Sequence, residues 1–230
     1  MTSLPNLQIG GYETLSTVDW PGKLVSTIFC QGCPWKCTYC FNKDILDPRK
    51  KGSIPFQDVI KHLEKRKGIL SGVVFSGGDA LMQGDTTIQA MKTIKEMGFQ
   101  VGLHCDGAYP KTLEKALPLL DWVGQDIKGL PFDYSEITLR PNSGEKAWSS
   151  LNLLLNSNVE FEVRTTVSFG SITADRLYPL AEILSRLGVK EWHIQNAQGP
   201  QFNDTPVWRR FLEAFQRDVS DNFEEFSIRL

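Results

Sequence analysis

Three cysteines stand at C-x3-C-x2-C spacing, Cys33, Cys37 and Cys40, in the run Cys33-Pro34-Trp35-Lys36-Cys37-Thr38-Tyr39-Cys40. A loop of this kind can offer three thiolates to one iron-sulfur cluster. A four-iron cluster takes four ligands, so three thiolates leave one iron for a ligand that is not protein. The competing reading is zinc, whose structural sites are closed by four ligands, with Cys30 as the fourth. Cys30, however, ends an apolar run, where a buried thiol behaves as a small hydrophobe. Cys33, Cys37 and Cys40 are therefore read as the ligands and Cys30 as structural. Five cysteines, four of them between positions 30 and 40, make a poor disulfide framework. Bridges join distant segments, and a tight cluster with an odd total points to metal instead.

Short apolar runs alternate with helical patterns around this loop, and they must position it. Strands are expected over residues 24–29, 73–75, 99–103, 122–127, 161–167 and 192–195. Between them lie helices opened by Pro55, Pro110 and Pro206 or closed by Gly68, Gly98 and Gly188. Phe56, Val59, Ile60 and Leu63 share one helix face, and Val207, Phe211, Leu212 and Phe215 are expected on the core side of the last helix. Residues 226–230 read as an edge strand, and residues 7–22 as a loop-rich lead-in. Six strands alternating with helices imply an α/β fold with a parallel sheet, because each crossover needs a dozen or more residues. Six units rather than eight make a partial (β/α)6 barrel within a single domain, 1–230.

In such barrels reactive groups gather at the C-terminal ends of the strands. The polar clusters fall there: the cysteine loop after the first strand, Ser76-Gly77-Gly78-Asp79 after the second, His104-Cys105-Asp106-Gly107 after the third, Asp126-Ile127-Lys128 at the end of the fourth, and Arg164 within the fifth. Gly77 and Gly78 let backbone approach a ligand closely, and the carboxylate of Asp79 can receive an ammonium group. Asp126 and Lys128 alternate and so share one face, which suits either a ligand contact or a salt-bridged rim. An unpaired guanidinium at Arg164 would be costly among β-formers, so it needs an anionic partner. Cys105 reads as packing, His62 carries no functional reading, and His193 suits the mouth or the core equally.

Charge excludes several classes. The 25 basic and 27 acidic side chains leave a formal net charge of -2, with no cationic block beyond Lys65-Arg66-Lys67, which argues against nucleic acid. No apolar segment approaches membrane-spanning length and no signal-peptide pattern opens the chain, so a soluble, cytoplasmic protein without membrane partners is expected. There is no second cysteine-rich insert, so one cluster is the economical count.

The C-x3-C-x2-C motif with the aromatic Tyr39 before its third cysteine resembles the signature of the radical S-adenosylmethionine enzymes. The resemblance implies a [4Fe-4S] cluster on Cys33, Cys37 and Cys40, with its open iron chelated by the amino and carboxylate groups of S-adenosyl-L-methionine. Reduction then cleaves the sulfonium to give a 5'-deoxyadenosyl radical. It further implies cofactor contacts from Tyr39, Gly77, Gly78, Asp79, Asp106, Asp126, Lys128 and Arg164. The segment Ser76-Gly77-Gly78-Asp79-Ala80 departs from the usual Gly-Gly-Glu-Pro. His104 stands where relatives carry an aspartate that helps hold a cation, which leaves that cation site open. Over the stretch from Lys65 to Gly78 the chain is most similar to the activating proteins of anaerobic ribonucleoside-triphosphate reductase. That likeness implies a glycyl radical enzyme as partner, a glycine hydrogen as the atom abstracted, and flavodoxin or ferredoxin as electron donor. A radical S-adenosylmethionine enzyme acting on a small molecule or another peptide, and a non-catalytic metal-binding adaptor, are the alternatives.

Overall fold

A computed structural model describes residues 4–197 and 205–229. The chain enters through β1 (Ile9–Ser16) and β2 (Val25–Cys30), then alternates: α1 (Phe56–Glu64), β3 (Gly72–Gly77), α2 (Asp85–Glu96), β4 (Gln100–Cys105), α3 (Pro110–Ala116) and β5 (Trp122–Asp126). Two helices follow, α4 (Tyr134–Thr138) and α5 (Ser143–Leu155), before β6 (Glu160–Val167), α6 (Ile172–Asp175), α7 (Leu177–Arg186), β7 (Glu191–Asn196), α8 (Pro206–Val219) and β8 (Glu225–Arg229). All eight strands form one sheet in sequence order. From β2 to β8 every pairing is parallel, and only β1 runs antiparallel to its neighbour. The sheet curls without closing, so β1 and β8 are its two edges.

The six expected strands are β2 to β7, each within a residue or two of its reading, and β8 supplies the expected edge strand apart from Leu230, which lies outside the described residues. Two expectations are corrected. Residues 9–16 are not a loop: β1 pairs with β2 from Ile9↔Cys30 to Ser16↔Val25, and irregular register at two points accommodates its polar, glycine-bearing sequence. Val207 is 58% exposed at the first turn of α8, and Trp208 takes the core position with Leu212, Phe215 and Val219.

One hydrophobic cluster joins α1, α2 and α3 to the outside of β2–β4, and a second joins α7 and α8 to β6 and β7. A small third cluster, Trp20, Val25, Val74 and Trp122, lies apart from both. Trp20 and Trp122 stack there at 5.5 Å between centroids. Such stacked indoles bury a large apolar area, which makes them a firm base for the polar groups beside them. No helix among the described residues is long and apolar enough to cross a membrane.

Candidate active site

A cavity of about 480 Å³ opens at the C-terminal ends of the strands, within the range of small-molecule sites. Cys33, Cys37 and Cys40 line it, with Tyr39, Gly77, Gly78, Asp106, Asp126, Lys128 and Arg164. Cys30 does not; it is fully buried at the end of β2. Asp79 also falls short of the wall, buried behind the glycines. All five cysteines are free thiols.

The cysteine loop is held by its backbone. Gly32 and Cys33 donate to the carbonyls of Ile45 and Leu46 at 2.7 and 3.0 Å, Asp79 donates to Gly32 O at 2.8 Å, and Lys36 donates to Thr138 O at 2.9 Å. Arg140 Nε reaches Pro34 O at 2.9 Å. At Gly77, with φ of +117°, and at Gly78, a Cβ would collide with the backbone of Cys30 and of Gly32. These glycines therefore let the cysteine loop lie against β3, a closer approach to the chain itself than to a ligand.

Two carboxyls are buried behind the thiols. Asp79 Oδ1 accepts from Leu81 N at 2.8 Å, capping the turn over Ala80–Gln83, and the Asp79 carboxyl is hydrogen-bonded to that of Asp106, which requires a proton on one of them. Asp106 Oδ2 lies 3.7 Å from Cys33 Sγ. Burial raises both above the usual carboxylate range, and for Asp79 the neighbouring Asp106 adds to it. Burial, with Asp106 beside it, pushes the Cys33 thiol up, and burial moves Cys37 up to about 11. The acids and thiols thus favour protons until a cation replaces them.

Lys128 lines the cavity and forms the ion pair with Asp126 that one of its two readings anticipated. Its Nζ donates to Asp126 Oδ2 at 2.8 Å and lies 5.7 and 5.9 Å from the ring centroids of Trp35 and Tyr39, both on the cysteine loop. Burial is the largest single influence and works against its charge, but Asp126, Tyr39, Cys37 and Asp106 together outweigh it and hold the ammonium above its usual range. Lys128 is consequently a pin between β5 and the loop, whereas the more exposed Asp126 carboxylate is available to a ligand.

The opposite wall is built on β6. Arg164 is paired with Glu162 through Nε, lies over the Trp122 ring at 5.2 Å, and has Nη1 3.1 Å from His104 Nε2. That nitrogen is 2.6 Å from Asp19 O, a group that can only accept, so it carries the proton. His104 Nδ1 then accepts from the Ser76 hydroxyl at 3.2 Å. Burial, with Arg164 alongside, keeps the imidazole well below its usual pKa and neutral. A protonated Nε2 is no acceptor for Arg164, and Arg164 Nη2 is buried without a partner. Arg164 lines the cavity with donor capacity left at Nη1, while Nη2 is shut in against Gly124. Arg164 has the anionic partner that its strand context called for, and that partner is the chain's own Glu162, which compensates its buried charge. His104 belongs to this clamp rather than to a cation site, His193 is buried in the wall, and Cys105 is packed.

Sequence reasoning missed Glu162 and Arg229, the carboxylate and second guanidinium of this wall. The signal was the charged pair Glu162 and Arg164 at i, i+2 in a strand of β-formers, which puts both side chains inside the barrel.

The donor set fits a cluster better than one ion. Zinc–sulfur bonds of about 2.3 Å would bring the sulfurs roughly 3.8 Å apart, whereas the three thiol sulfurs do not all lie within 4.8 Å of one another. Beyond the thiols, the buried acids suit an ammonium group and the Arg164 fork suits a carboxylate.

Comparison with known proteins places this geometry. The pattern described as the radical SAM superfamily matches residues 27–193. A protein of Methanocaldococcus jannaschii provisionally assigned as a glycyl-radical enzyme activating enzyme is 30% identical over 164 residues, covering 69% of this chain and 67% of its own. The pyruvate formate-lyase 1-activating enzyme of Escherichia coli is 27% identical over 189 residues, covering 79% and 76%. Among solved structures, Streptococcus suis SuiB bound to S-adenosylmethionine superposes with a TM-score of 0.63 at 12% identity, over 90% of this chain and 46% of that one.

Proposed function

We propose, from the premise that this chain belongs to the radical SAM superfamily, that it activates a glycyl radical enzyme, an anaerobic ribonucleoside-triphosphate reductase, working as one cytoplasmic domain. Members of the family use a [4Fe-4S] cluster and S-adenosylmethionine. The observation that carries the reading is the single mouth where three cavity-lining thiols, the Asp106 carboxyl backed by Asp79, and an under-partnered arginine meet. Cys33, Cys37 and Cys40 would hold the cluster, which supplies, when bound, the electron that cleaves the sulfonium.

The chain's own part is geometry and electrostatics. Asp106, backed by Asp79, would receive the methionine ammonium, and Arg164 would take its carboxylate. Tyr39 and Asp126 flank the nucleoside, with Lys128 and the glycines fixing the loop. The hydrogen atom lost by a backbone glycine of the partner ends on the departing adenosyl group, leaving a glycyl radical. An open sheet supports a protein substrate, since the partner can supply the wall that shields the reaction from water. Flavodoxin or ferredoxin would donate the electron.

A second reading of the partner rests on the curated relatives, several of which are named for pyruvate formate-lyase. The test mixes the reconstituted protein anaerobically with S-adenosylmethionine, reductant and each candidate in turn. A glycyl radical doublet on the reductase is expected. A doublet on a formate-lyase alone would move the partner, and turnover stimulated by a small molecule without any doublet would overturn activation.

A further inference from the structure

Glu162 is wholly buried, yet it serves more than Arg164. Arg229, at the end of edge strand β8, reaches it with Nη1 and Nη2 at 3.2 and 3.3 Å, one to each carboxylate oxygen. His193 Nε2 lies 3.4 Å away, and its Nδ1 is 2.7 Å from the Ser227 hydroxyl. Burial keeps His193 below its usual pKa and so uncharged. The wall therefore sets two guanidiniums against the Glu162 carboxylate, with His193 uncharged beside it, and Glu191 brings a second carboxylate within 4.8 Å of Glu162 and His193.

Without Arg229 the wall would hold a single guanidinium against two carboxylates. Glu162 would then direct its whole field at Arg164, and a cavity ligand would meet a neutral ion pair instead of a cation. The three residues come from β6 and β8 and share the interior of the sheet, so the arrangement depends on β8 completing the wall. Arg229 itself lines the cavity and is 37% exposed at its side chain, so its loss leaves no buried void.

We infer that Arg229 is a positioning residue: by sharing Glu162 it leaves Arg164 with the unspent positive charge that holds an anionic group of the ligand, the methionine carboxylate. This rests on the reading of Arg164 given above, and the experiment separates the two. Anaerobically reconstituted holoenzyme is titrated by equilibrium dialysis with S-adenosylmethionine and with its decarboxylated analogue, for the wild type, R229Q, R229K and R164Q. Iron content and thermal midpoint are measured alongside.

One further charge at a partly buried site gives an expected loss of roughly tenfold in affinity for S-adenosylmethionine in R229Q. The loss for the decarboxylated analogue should be under about twofold, and R229K should recover most of the affinity, because it restores the charge. A merely structural role would lower affinity for both ligands together. Equal losses for the two ligands, no loss in R229Q, or no recovery in R229K overturns the inference. If R164Q binds S-adenosylmethionine as the wild type does, the reading of the site falls first; if R164Q weakens only the carboxylate-bearing ligand and R229Q is silent, only the role of Arg229 falls.

Discussion

The two sides of the mouth solve opposite electrostatic problems. On the β2–β4 side, thiols and carboxyls crowd together, Asp79 and Asp106 hydrogen-bonded to each other, and no cation stands among the side chains beside them except Lys128, which is spoken for by Asp126. On the β6–β8 side, charges are matched: Glu162 answers Arg164 and Arg229, and neutral histidines fill the gaps. The first side gathers acids without a free cation, whereas the second answers its charges within the chain. A site that must hold a zwitterion gains from this division, because each end of the ligand meets a wall that lacks its charge.

The largest expected effect lies on the first side. Replacing Cys33, Cys37 or Cys40 by alanine should abolish iron retention after anaerobic reconstitution, measured as iron per chain, while Cys30→Ala keeps it. Iron retained in the Cys37 variant and lost in the Cys30 variant would reverse the ligand assignment. On the matched side, Glu162→Gln leaves two guanidiniums without their carboxylate, and urea unfolding should show a loss of about 3 kcal/mol. A loss below roughly 1 kcal/mol would mean that the wall is solvated and not matched. Asp106→Asn makes the sharpest contrast: neutralising one of two crowded acids should stabilise the cluster-free protein by about 1 kcal/mol, yet weaken binding of S-adenosylmethionine to the holoenzyme.

The smallest effect is in pH. His104 and His193 have native pKa values below the ordinary 6.5, so the folded protein binds fewer protons than the unfolded chain. Their contribution is complete above that value and declines as pH falls below it. Stability should therefore drop by roughly 1 kcal/mol per histidine between pH 7.5 and 5.5, and His104→Asn should flatten the slope. A slope unchanged in that variant would show that the imidazole is not held neutral.

Much of this was legible in sequence. The strands β2 to β7 announce themselves as short apolar runs between helix caps, and the cysteine spacing identifies the loop. What escaped was pairing across distance. β1 hides because Gly10 and Gly11 lower its strand character, and only its partner β2 makes it a strand. The pairing of Lys128 with Asp126 was open to sequence, but nothing local reveals that Trp35 and Tyr39, about ninety residues earlier, close around it. Arg229 reads as a tail residue until β8 is laid beside β7 and its guanidinium falls opposite Glu162. The family membership rests on the motif; the balance of charge in the wall is visible only in three dimensions.

The stack of Trp20 on Trp122 has a consequence for light. Two indoles 5.5 Å apart and inclined by 17° couple their excited states, and Arg164 lies over the second of them. The charge above Trp122 is the one a carboxylate would neutralise. Filling that end of the cavity therefore perturbs the near-ultraviolet circular dichroism of a built-in chromophore pair, and Trp122→Phe erases that signal while the other indoles continue to absorb. The protein carries its own optical gauge of the arginine wall, readable without any attached dye.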